Sequence, residues 1–138
     1  MKFFFDANLS PHFARGVAGL CGSIKDEVEQ VVHLTDLFSS DAQDVDWIGA
    51  LTQTGPWCIV SIDRFKKHHN AEREALRKGG HMVFVLEKQW SGQPFWSKAE
   101  RLVGWWPQIV AQAQLQAGGM LSVPFAHRSG AKFKAIKL

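Results

Sequence analysis

Trp57-Cys58-Ile59-Val60-Ser61-Ile62-Asp63 is the stretch that decides the fold. Trp57–Ile62 is apolar and β-branched, with Gly55-Pro56 before it and an acid after it. A short run of this kind predicts a strand buried on both faces, as strands are in a parallel sheet. Upstream, Asp44 to Thr54 carries Val45, Trp47, Ile48 and Leu51 on a helical period, and Gly55-Pro56 is its stop. Thr35–Gln43 reads as polar and irregular, and Glu29–Leu34 as a second strand. The chain opens with Lys2–Phe5, an apolar run stopped by Asp6-Ala7-Asn8, which predicts the first strand. Ser10-Pro11 then signals a helix start; Phe13, Val17 and Leu20 keep helical spacing as far as Gly22.

Downstream, Arg64–Lys78 reads as a charged helix ended by Gly79-Gly80, and His81–Leu86 as the fourth strand. Pro94–Gln116 is helical in pattern, with Pro107 either starting a second helix or kinking a single one. Gly118-Gly119 closes it; Met120–Phe125 predicts a short last strand, followed by a basic tail over 127–138 with Lys132, Lys134 and Lys137. Strands alternate with helices through the first 86 residues, so the fold class is α/β: a mainly parallel sheet covered by helices on both faces.

The length of 138 residues suits a single domain, 1–138, and 46% apolar residues argue against disorder. No apolar stretch approaches a membrane span, and Asp6 interrupts the opening Phe3-Phe4-Phe5 too early for a secretory leader, so a cytoplasmic protein is expected. Cys21 and Cys58 lack the spacing of a zinc site and read as small apolar filler. The net charge of +3 hides an asymmetry. Residues 1–63 hold nine acids against three Lys or Arg, whereas residues 64–138 hold four acids against thirteen. The split fits an acidic, metal-binding half and a basic, polyanion-binding half, and equally a solubilised surface.

Asp6 and Asp63 end strands, and Asp44 and Asp46 open the helix between the second and third strands. In an open parallel sheet, strand ends and the following helix starts share one edge, where ligands bind. Carboxylates gathered there repel one another and need a cation; hard oxygen ligands suit Mg2+ or Mn2+. Such ions serve phosphodiester cleavage by activating water and stabilising the leaving oxygen. The plain alternative makes Asp44 a helix cap, Asp46 a favourable first-turn charge, and Asp6 and Asp63 turn residues. Asp36 and Asp41, in the intervening loop, read as solvated.

Phe3-Phe4-Phe5-Asp6-Ala7-Asn8-Leu9 resembles the opening of PIN-like nuclease domains, where a strand ends in Asp-x-Asn-Leu. Asp44-Val45-Asp46-Trp47-Ile48 with Leu51 resembles that family's acidic helix, and Val60-Ser61-Ile62-Asp63-Arg64-Phe65 its later strand and acid. Asn70-Ala71-Glu72-Arg73-Glu74-Ala75-Leu76, Phe84-Val85-Leu86, Trp96 and Trp106-Pro107 are similar to one branch, the VapC-like toxins of bacterial toxin–antitoxin pairs. The resemblance implies a three-layer α/β/α sandwich, metal-dependent endoribonuclease activity, and inhibition by a cognate antitoxin protein. It carries the catalytic and metal-binding roles onto Asp6, Asp63 and one of Asp44 and Asp46. Arg64-Phe65 stands where many relatives have a further aspartate, so the sequence names no fourth acid.

RNA contacts are expected from Asn8, Arg64, Lys66, Lys67, Asn70 and Arg73, which cluster after the first and third strands. His68-His69 are adjacent and would point apart on a helix, so they are not read as a metal pair. Trp105 and Trp106 are not expected to face one core from a regular helix; the plain reading is a wide apolar helix face, and the alternative places one of them in a partner interface, with an antitoxin or a second copy in a homodimer as the partner. The competing reading is a non-catalytic PIN-like RNA- or protein-binding module, in which the aspartates are only caps and turns.

Overall fold

The computed structural model describes residues 1–66 and 70–138. Among them, one six-stranded sheet runs in the order β2-β1-β3-β4-β5-β6. The strands are β1 (Lys2–Phe5), β2 (Gln30–His33), β3 (Cys58–Ser61), β4 (Met82–Leu86), β5 (Gly119–Val123) and β6 (Lys134–Ile136). The first five are parallel, and β6 pairs antiparallel with β5. Five α-helices flank the sheet: α1 (Pro11–Cys21), α2 (Leu34–Leu37), α3 (Asp44–Thr52), α4 (Ala71–Gly79) and α5 (Phe95–Leu115).

The chain alternates across the sheet as a pleated strand must. Phe3 and Phe5 of β1 pack with residues of α1 and α5, whereas Phe4 packs with residues of α3 and α4. The same alternation sends Cys58, Val60, Met82 and Phe84 to the first core and Ile59, Val83 and Val85 to the second. Both faces are covered, so the architecture is the α/β sandwich expected, and its central strands are continuous apolar runs for that reason. β1 lies between β2 and β3, which places the reversal of strand order at the carboxyl ends of β1 and β3. Among the described residues no helix is long and apolar enough to cross a membrane.

Local chemistry sets the helix starts. Ser10 accepts from the His12 N–H at the head of α1, with Pro11 in the first turn. His33 caps α2: its Nδ1 accepts from the Thr35 N–H, its own N–H donates to Asp36 and its Nε2 donates to the Leu9 carbonyl. The stretch expected to be irregular therefore begins with a helical turn, because a histidine supplies the cap usually provided by Ser, Thr, Asp or Asn.

Three further expectations are corrected. The helix read over Arg64–Lys78 begins only at Ala71. Phe65 (φ 54°) and Asn70 (φ 70°) are left-handed and cannot continue a right-handed helix. Burial of the Phe65 ring against Trp47 holds the chain off the helical path. The basic segment 127–138 is not a free tail, since β6 returns it to the sheet edge. Trp105 and Trp106 are both buried, and neither forms an exposed interface. Trp106 packs on Phe3 and Phe5, while the returning segment covers Trp105 with His127 and Phe133. α5 is one helix with Pro107 inside it.

Candidate metal centre

The acids gather at the carboxyl edge of the sheet, on the side of α3 and α4. Asp6 follows β1 directly, and its N–H donates to the Val60 carbonyl, tying it to β3. Its side chain is buried. Oδ1 accepts from the Ala7 N–H at 2.6 Å and Oδ2 from the Ser61 hydroxyl at 2.7 Å. Burial pushes the Asp6 pKa up; the Ser61 and Ala7 hydrogen bonds oppose this, and the charges of Asp44 and Asp63 add to the rise.

Ser61 is the hub of this edge. Besides donating to Asp6, its Oγ accepts from the Asp63 N–H at 3.0 Å and from Asn8 Nδ2 at 3.2 Å. Asn8 also accepts from the Ile62 N–H at Oδ1. The amide of Asn8 therefore clips the end of β1 to the end of β3. Asp63 is held in turn by its own loop, where Oδ1 accepts from the Phe65 N–H at 2.9 Å.

Asp44 is the first residue of α3; the cap is Gln43, which makes no side-chain cap bond. The capping role considered for Asp44 is thus not the one it has. Its Oδ1 accepts from Trp47 Nε1 at 3.0 Å, which aims the half-buried carboxylate back toward the sheet edge. Asp46 is exposed and lies outside the acid group.

The residue the sequence reading left without a role is Glu72, in the first turn of α4 and buried. Oxygens of Asp44, Asp63 and Glu72 lie within 4.8 Å of one another. Three carboxylates from three separate elements converge there, beside Asp6. A signal for Glu72 was present: it and Leu76 are the buried positions of α4, four residues apart. An acid on the core-facing stripe of a helix is an anomaly that points to a site.

The donor set tests well against a divalent cation. Among the described residues the cluster is all carboxylate oxygen, the choice of Mg2+ and Mn2+. At about 5 Å, like charges repel by roughly 1 to 3 kcal/mol per pair as the effective dielectric runs from water to protein. A cation relieves all of these repulsions at once.

The expected RNA contacts divide. Asn8, Arg64, Lys66 and Asn70 are exposed near the acids, whereas Lys67 lies outside the described residues, as do His68 and His69. Arg73 donates from Nε and Nη2 to the Arg64 carbonyl and from Nη1 to the Lys137 carbonyl, stapling the loop after Asp63 to the segment beyond β6. Asp36 is engaged in capping α2.

A family model described as a PIN like domain matches residues 1–88, which take in β1 to β4 and every acid of the cluster. No curated protein and no solved structure matches the chain.

Proposed function

The chain belongs to the PIN-like domain family, and from that premise we propose that it is a Mg2+- or Mn2+-dependent endoribonuclease acting as the toxin of a toxin–antitoxin pair. The observation that carries the nuclease reading is the convergence of Asp44, Asp63 and Glu72 within 4.8 Å, beside the buried Asp6. Asp6, Asp44, Asp63 and Glu72 are the residues that would hold the cation. A bound divalent ion supplies a water of lowered pKa and a counter-charge for the leaving oxygen.

The chain's own contribution is placement. Ser61 fixes Asp6 through its hydroxyl and Asp63 through the backbone, so two acids from different strands keep one geometry. Asn8 locks the two strand ends together. Arg64 and Lys66, exposed after Asp63, give a phosphate backbone its counter-charge on the approach to the acids. In the hydrolysis, a water oxygen bonds to phosphorus, one ester P–O bond breaks, and the departing oxygen takes a proton. For the antitoxin, this reading assigns the apolar patch of α1 and α5, where Leu20, Trp96 and Val103 are exposed.

The test is cleavage of a mixed RNA pool by the purified chain in EDTA, Mg2+ or Mn2+, beside Asp6→Asn. Metal-dependent cutting that the variant lacks is the expected result. A folded protein that binds RNA but cuts under no metal would replace this reading with the non-catalytic module. The toxin role predicts growth arrest on expression, relieved by Asp6→Asn; arrest unchanged in the variant would contradict it.

A further inference from the structure

A second concavity shares the carboxyl edge of the sheet with the acids, but opens on the α1 and α5 side. Its volume is about 150 Å³. Phe13, Trp90 and Leu102 are among its apolar walls, and Asn8, Ser91 and Lys98 are its polar ones. An apolar cavity of about this size admits a benzene ring.

Two features connect it to the acid cluster. Asn8 lines the pocket while its Nδ2 lies 3.4 Å from Asp6 Oδ2, so one side chain separates the two spaces. Ile62 lines it too, and the next residue is Asp63. The charges differ in sign. No acid lines the pocket, and Lys98 forms no ion pair among the described residues. An aromatic-lined space with an ammonium unpaired among the described residues, one residue away from Asp6 and from Asp63, is suited to a flat ring carried on a phosphate chain.

We propose that this pocket receives the base of the nucleotide flanking the phosphodiester at the acid cluster, with Lys98 facing a neighbouring phosphate. The proposal rests on the nuclease reading for its orientation. A base enters by stacking and burial, which any base can do, so recognition is for single-stranded RNA. Shape and the few polar groups of Asn8 and Ser91 set any preference among bases.

The test is designed to stand apart from catalysis. Uridine, cytidine, adenosine and guanosine are titrated into the full chain in EDTA, with ribose as the control, and 1H–15N NMR follows the Trp90 indole and the Asn8 amide. At least one nucleoside should shift both signals saturably while ribose does not. Ser91→Trp, at an exposed position on the rim, should weaken that binding roughly tenfold, the value of about one lost stacking contact. With RNA as substrate, the same variant should raise KM more than it lowers kcat and flatten the base preference beside the cut. Equal shifts from ribose, no shift at Trp90, or a Ser91→Trp variant with unchanged affinity would overturn the pocket assignment. Nucleoside binding without RNA cleavage would support the pocket and remove the nuclease; cleavage with KM and base preference untouched by Ser91→Trp would do the reverse.

Discussion

Replacing Asp63 by Asn separates the charge of this residue from its structural duty. The amide keeps an oxygen that can accept from the Phe65 N–H, so the turn after β3 is retained. What disappears is a negative charge within 4.8 Å of carboxylates from Asp44 and Glu72, and one that also repels Asp6. With Asp44 and Asp63 half-buried, each relieved repulsion is worth about 1 kcal/mol where water screens it and about 3 kcal/mol where protein does. Screening favours the lower end, so relief of the two pairs at this distance should give the metal-free variant about 2 kcal/mol. For a chain of this length that is a Tm increase of roughly 4 to 8 °C. The metal response should move the other way. A cation at about a hundred times its Kd stabilises the native protein by about 2.7 kcal/mol, or roughly 10 °C, and the variant should show only a small part of this. The assay is thermal unfolding followed by circular dichroism in EDTA and across a Mn2+ titration. A variant that melts below the native chain in EDTA, yet rises by the same amount in Mn2+, would refute the carboxylate cluster as a strained cation site.

Other consequences are checked more simply. Asp44→Asn should abolish metal-dependent RNA cleavage while Asp46→Asn, at an exposed position, leaves it within about twofold of native; equal losses in both would contradict the placement of α3. His81 is buried, its Nδ1 accepts from the Trp57 N–H, and burial lowers its pKa from the usual 6.5. A lowered histidine pKa stabilises the fold above the unfolded value and loses that contribution as pH falls through the folded one. His81→Leu should therefore cost about 1 to 3 kcal/mol near pH 7.5 and flatten the decline of Tm between pH 7 and 5; an unchanged slope would refute the assignment. Trp105→Ala, which empties the space between α5 and the returning segment, should destabilise by about 3 to 5 kcal/mol in chemical denaturation, against less than about 0.5 for Trp96→Ala at an exposed position. RNA binding in EDTA should weaken steeply with added salt, and an affinity indifferent to salt would contradict the basic approach path.

The strands were legible because a strand buried on both faces has no choice but to be an apolar run, and β1, β3 and β4 are such runs. Their terminal acids, Asp6 and Asp63, followed from the rule that parallel sheets bind at the carboxyl edge. The choice between Asp44 and Asp46 was not legible. It depends on the cap falling at Gln43, which offers no side-chain bond and so leaves no mark in the sequence. The start of α4 was misplaced because neither Phe65 nor Asn70 announces its left-handed backbone as a glycine would, and Glu72 was passed over because its four-residue spacing from Leu76 was not read as one buried face. The two buried tryptophans of α5 were read from the helix alone. A single sheet face cannot cover both, and the chain returning through His127 and Phe133 to β6 can. Residues 89–138, which build that cover, lie beyond the matched family region.

The most direct test of the central claim is anomalous diffraction from crystals of the full chain grown with Mn2+. The account expects a manganese peak bounded by the carboxylates of Asp44, Asp63 and Glu72 on the side facing Asp6, absent from Asp63→Asn crystals grown alike. Well-ordered side chains at these positions with no manganese among them, or an ion bound elsewhere and indifferent to the Asp63 substitution, would contradict it.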